Sequence, residues 1–112
     1  MNIPVKNIIE TFLCMSSKVE QGQGLQVLIE GYPPLAVFHL EDGQFYITDD
    51  TCTHGDASLA DGEIDGDEVE CPFHAGAFDI KTGEPCGAPC SIALKTYKSM
   101  LRDGKVFLVE SR

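Results

Sequence analysis

Apolar and polar positions alternate in short runs along most of this 112-residue chain, and glycine-containing turn signals separate the runs. The turns are Glu30-Gly31, Glu41-Asp42-Gly43, Asp61-Gly62, Asp65-Gly66, Lys81-Thr82-Gly83 and Arg102-Asp103-Gly104. Between them the composition predicts strands at Leu25–Glu30, Leu35–Leu40, Phe45–Thr48, Glu68–Cys71, Ala77–Ile80, Leu94–Leu101 and Lys105–Glu110. These segments are short and rich in β-branched and aromatic residues. Runs 35–40 and 45–48 lie on either side of a Gly-containing turn, as do 94–101 and 105–110, so both pairs predict hairpins. Only the first dozen or so residues could pass for a short helix. No internal repeat, low-complexity stretch or linker interrupts the pattern. Seven short strands at this spacing predict an all-β sandwich or small barrel, a single domain over residues 1–112. The segment Cys52–Ala77 reads as loops inserted into that scaffold.

Composition narrows the class. At 43% apolar the chain is too hydrophobic to be disordered, and no apolar run approaches the ~18 residues of a membrane span. The start, MNIPVKNIIETFL, carries Glu10 and no small-residue cleavage site, which predicts a cytoplasmic protein. Acids outnumber bases 18 to 8, so a phosphate backbone is not an expected partner. The charge is uneven. From Glu41 to Glu84 there are thirteen acids against Lys81 alone, a net of −12; the remainder nets +2. Such a segment serves solubility, or forms an acidic face for a basic protein partner.

The five cysteines are Cys14, Cys52, Cys71, Cys86 and Cys90. An odd count in a reducing compartment favours metal binding over disulfides. Two of them stand in Cys52-Thr53-His54 and Cys71-Pro72-Phe73-His74, a C-x-H-x16-C-x2-H pattern. Thiolate and imidazole suit Zn²⁺ or an iron–sulfur centre. A zinc finger usually pairs like with like, C-x2-4-C then H-x3-5-H. Here each short loop offers one Cys and one His. A [2Fe–2S] rhomb with two Cys on one iron and two His on the other asks for that arrangement. Small residues after the histidines, Gly55 and Ala75-Gly76, allow close backbone approach to the sulfides. A structural zinc site is the alternative.

Cys86 and Cys90 read as small buried thiols, Cys14 as packing, and His39 as a strand histidine rather than a ligand. The acid pairs Asp49-Asp50 and Asp67-Glu68 sit among turn residues and read as solvated. There is no Ser-His-Asp grouping and no phosphate-binding glycine loop.

Around these loops the chain resembles the Rieske-type ferredoxins of bacterial multicomponent aromatic-ring dioxygenases. The matching residues are Cys52-Thr53-His54-Gly55, Asp61-Gly62, Asp65-Gly66-Asp67 and Glu70-Cys71-Pro72-Phe73-His74. They continue through Phe78-Asp79, Thr82-Gly83, Ala88-Pro89, Thr96-Tyr97 and Asp103-Gly104-Lys105-Val106. The likeness runs from about Phe12 to Glu110. It implies antiparallel sheets in an incomplete barrel, with a small cluster-binding subdomain over about residues 50–90. It also implies one Rieske-type [2Fe–2S] cluster, with Cys52 and Cys71 on the inner iron and His54 and His74 on the outer one. Ala88-Pro89 matches the family's cluster-shielding proline turn.

The branch is readable on the same footing. High-potential Rieske proteins carry an extra disulfide, at positions that here are Ala57 and Phe73. They also place Ser and Tyr hydroxyls near the cluster, where this chain has Gly76 and Phe78. Missing donors to the sulfurs imply the low end of the Rieske range, roughly −150 mV rather than +300 mV. With neutral imidazoles the oxidised cluster is neutral overall and becomes −1 on reduction.

The implied function is one-electron carriage from a flavin-containing NAD(P)H-dependent ferredoxin reductase to the terminal oxygenase of such a system. The chain is then not itself an enzyme. A terminal oxygenase would need a mononuclear iron on two His and a carboxylate, and His39 alone is left over. A small Rieske-like subunit of a reductase complex such as nitrite reductase, and the zinc module, are the competing readings.

Overall fold

The computed structural model describes residues 8–53, 55–73, 76–87 and 91–111. Its strands are β1 (Ile8–Met15), β2 (Gln23–Val27), β3 (Leu35–His39), β4 (Phe45–Asp49), β5 (Ile64–Asp65), β6 (Glu68–Glu70), β7 (Ala77–Asp79), β8 (Thr96–Arg102) and β9 (Lys105–Ser111). Six strands form one sheet in the order β1-β9-β8-β4-β3-β2, and a smaller sheet has the order β5-β6-β7. The pairings are antiparallel throughout. Short 3₁₀ turns occupy Ser16–Lys18 and Leu59–Asp61. The fold is all-β, as expected, and both expected hairpins are present, β3 with β4 and β8 with β9.

The start of the chain departs from its helical expectation. From Ile8 it is a strand, pairing antiparallel with β9 from Ile8↔Ser111 to Met15↔Lys105. The Ile8, Ile9, Phe12, Leu13 spacing imitates a helical stripe, but an open sheet edge offers a full ladder of backbone partners and overrides it. The register shifts between Phe12 and Cys14. Such a bulge lets two consecutive residues, Leu13 and Cys14, both be buried.

Strand β3 organises the core. Its run Leu35-Ala36-Val37-Phe38 is wholly buried because it is covered on both faces. Leu35 and Val37 join Leu13, Val19, Phe45, Ile47, Val106 and Leu108 under the large sheet. Ala36 and Phe38 point the other way, into a second core with Leu59, Val69, Phe78, Ile80 and Leu94. The small sheet is thereby packed against the back of the large one. Burial of apolar surface at ~25 cal/mol per Å² holds the two together. Lys81 adds a polar strap, its Nζ lying 3.3 Å from Asp42 in the β3–β4 turn and 3.5 Å from Asp67 in the β5–β6 turn.

Candidate metal centre

The two cysteine loops are built alike. In the first, the Cys52 N–H donates to Ala57 O at 3.0 Å; in the second, the Cys71 N–H donates to Gly76 O at 2.8 Å. Each is therefore a six-residue loop closed by the same i to i+5 backbone bond, with cysteine at its first position. The first loop leaves β4 and returns through a Thr51↔Ser58 bridge. The second joins β6 to β7, where Glu70 pairs with Ala77. A third segment is closed at its base, where the Leu94 N–H donates to Gly83 O at 2.8 Å. Thr53 Oγ1 donates to Ile92 O at 2.9 Å, tying the first loop to the third segment.

Cys52 and Cys71 are 3% and 1% exposed and belong to one buried cluster with Phe38, Leu59, Val69 and Phe78. Two buried thiols at the matched starts of adjacent loops are a donor set that fits the cysteine side of an iron–sulfur cluster. His54, His74, Ala75, the Ala88-Pro89 turn and Cys90 lie outside the described residues.

Other expectations divide. Cys14 is buried packing. His39 is a half-buried strand residue stacked on Phe45 with ring centroids 4.2 Å apart, its Nδ1 2.9 Å from Val19 O. Cys86, expected to be buried, is exposed, with its Sγ 3.6 Å from Glu84 O. Desolvation, together with the Glu68 and Asp79 carboxylates, pushes its thiol up, which disfavours the reactive thiolate. Asp67 and Glu68 are exposed as expected. Asp50 is withdrawn from solvent and Asp49 is half-buried. Asp49 accepts a 2.5 Å hydrogen bond from the Tyr97 hydroxyl, and Asp50 is 1% exposed.

Residues 10–98 match the Rieske [2Fe-2S] domain. The chain belongs to the Rieske [2Fe–2S] family. It is 45% identical over 96 residues to Ferredoxin CarAc of Metapseudomonas resinovorans, covering 86% of this chain and 89% of that one. It is 41% identical over 110 residues to the ferredoxin component of the p-cumate 2,3-dioxygenase system of Pseudomonas putida, covering 91% and 92%. A solved complex of reduced oxygenase and oxidised ferredoxin in carbazole 1,9a-dioxygenase contains a chain that superposes with TM-score 0.83 at 43% identity, covering 93% and 96%.

The chain thus carries one Rieske-type [2Fe–2S] cluster, and the relatives it matches at 40–45% identity are ferredoxins, the electron-transfer rather than catalytic components of their dioxygenase systems. The family match sets aside the zinc-module reading; a chain named as a nitrite reductase small subunit shares the fold at TM-score 0.76 and 27% identity, below the 40–45% of the ferredoxin relatives. Among the described residues no helix is long and apolar enough to cross a membrane.

Proposed function

We propose that the ferredoxin takes single electrons from a flavin-containing NAD(P)H-dependent reductase and delivers them to its terminal oxygenase, with Cys52, His54, Cys71 and His74 as cluster ligands. The observation that carries the assignment is the pair of matched six-residue loops, each opening on a buried cysteine and holding one histidine. When bound, the cluster supplies a one-electron couple. Cys52 and Cys71, buried together in the apolar core, would hold one iron away from water. His54 and His74 would supply the neutral imidazole ligands of the other. An oxygenase as recipient is supported by the carbazole dioxygenase complex. The whole chain, 1–112, acts as one cytoplasmic domain, with the cluster-binding subdomain over about residues 50–90.

Partner choice follows the charge. Asp56, Asp61, Glu63, Asp65, Glu68 and Glu70 are all exposed around the loops and the small sheet. Lys81, the segment's one base, is already engaged by Asp42 and Asp67. Such a face steers the carrier toward basic patches on its protein partners and repels nucleic acid and anionic membranes.

Purified protein tests the reading. A red-brown sample with iron, acid-labile sulfide and a Rieske EPR signal is expected, and a colourless one would overturn it. Cys52→Ala and Cys71→Ala should each abolish the signal. A Cys52→Ala protein with a Rieske signal near full occupancy would refute the ligand assignment.

A further inference from the structure

Asp50 and Thr48 are the buried polar residues among the described ones, Asp50 at 1% exposure. The Asp50 carboxylate accepts three hydrogen bonds. Its Oδ1 takes the Ser58 hydroxyl and the Ala60 N–H, both at 2.9 Å, and its Oδ2 takes the Gln26 side-chain amide at 2.8 Å. The main chain of the same residue is also engaged: its N–H donates to Pro34 O and its carbonyl accepts the Leu59 N–H. Asp50 lies just before the first ligand loop, and Ser58 and Ala60 lie just after it. One side chain therefore fastens the two ends of that loop to each other and, through Gln26, to edge strand β2. It also serves the 3₁₀ turn Leu59–Asp61, whose own N-cap, Ser58, makes no side-chain cap bond.

Burying a carboxylate is costly unless donors surround it, so three donors aimed at one carboxylate mark a built feature. Its consequence depends on where it sits. Residue 50 is two positions from Cys52, and Cys52 and Ala60 share one buried cluster. A negative charge in an apolar setting is weakly screened and opposes the arrival of an electron nearby.

We propose that Asp50 is a positioning residue for the cluster: it clamps the loop that carries Cys52 and holds the midpoint potential down by its buried charge. This rests on Cys52 being a ligand. Three holo proteins test it: wild type, Asp50→Asn and Ser58→Ala. The asparagine keeps Oδ1 for Ser58 and Ala60, and the exposed Gln26 can turn its amide over to accept from the new Nδ2. The expected result is a Rieske EPR signal at wild-type occupancy with the midpoint potential shifted upward, which a merely structural aspartate would not produce. A fully loaded Asp50→Asn protein with the wild-type potential would overturn the proposal. Ser58→Ala keeps the charge and removes one clamp bond, so it should lose its cluster to a chelator several-fold faster than wild type. If Asp50→Asn assembles no cluster, this arm decides, and a wild-type loss rate in Ser58→Ala overturns the clamp. Absence of a Rieske signal in the wild-type protein would instead defeat the ligand assignment on which the proposal stands.

Discussion

Replacing Gly83 by alanine tests how far the third segment depends on its closure. Gly83 has φ +81°, and a Cβ built there would lie 2.0 Å from Leu94 O and 3.2 Å from Thr96 Cγ2. Gly43, in the β3–β4 turn, has φ +80° with nothing within 4 Å of the same virtual atom. Both substitutions place an L side chain in the left-handed region, at about 1–2 kcal/mol. Gly83→Ala must in addition push the Leu94 carbonyl back by about an ångström, because real Cβ contacts under 3.0 Å are essentially unknown. That displacement strains or breaks the 2.8 Å Leu94 N–H to Gly83 O bond, adding about 1–3 kcal/mol. The two add to about 2–5 kcal/mol for Gly83→Ala, against about 1–2 for Gly43→Ala. At about 4 °C per kcal/mol for a domain of this size, Tm should fall by about 8–20 °C and about 4–8 °C respectively. Calorimetry of the two holo variants reads the difference, and visible absorbance follows the cluster at a temperature where both remain folded. Gly83→Ala should bleach faster, since Thr53 leans on Ile92 in the segment it loosens. Equal Tm values and equal bleaching rates would refute the reasoning.

Phe78→Tyr should raise the midpoint potential modestly by supplying a hydroxyl donor, although Phe78 is 0% exposed and the new group must find its partner inside the core; electrochemical titration showing an unchanged or lower potential in a folded variant would count against it. Burial and the Asp49 carboxylate push the Tyr97 hydroxyl well above its ordinary range, so its contribution to stability is complete below the unfolded tyrosine value of about 10 and is lost as pH rises beyond it. Tyr97→Phe should therefore flatten the alkaline limb of a Tm-against-pH curve, and a parallel limb would exclude this origin. Reduction by the reductase should slow from low to moderate salt, as expected for steering screened over about 8–10 Å; neutralising Asp61 or Glu63 should weaken that dependence and Glu110→Gln should not. Stopped-flow rates that stay flat with salt would assign docking to apolar contacts such as the exposed Phe73 and Ile92.

What could be read from the chain alone was local. Each cysteine loop is six residues closed by its own backbone bond, so ligand types and spacing sit side by side in the sequence. The hairpins were legible for the same reason, since turn and strands are contiguous. The misreadings were non-local. Strand β1 owes its conformation to β9, about a hundred residues away in Ile8↔Ser111, and no window around Ile8 contains that partner. Cys86 is exposed because the Phe78↔Pro85 bridge runs the segment along the rim of the small sheet, a placement that C-x3-C spacing does not encode.

The acidic segment shows how charge counting can mislead about single residues. Thirteen acids and one base describe its net field correctly, yet its members do different work. Asp50 is withdrawn from the surface by donors from β2 and from beyond the first loop, with Gln26 24 positions upstream. Lys81 joins two turns, one in each sheet. The Asp42 carboxylate it meets is held below its usual range first by the Tyr46 hydroxyl, then by the Gln44 N–H, and only after these by Lys81. An exposed pair of this kind is screened by solvent and adds little to stability, so the strap orients the small sheet more than it stabilises the fold. The acids left without a basic neighbour are then the ones free to meet a partner, and they are fewer than the sequence count implies. Steering by this face should accordingly respond to Asp61 and Glu63, whereas the buried Asp50 should act on the potential and on cluster retention and leave steering unchanged.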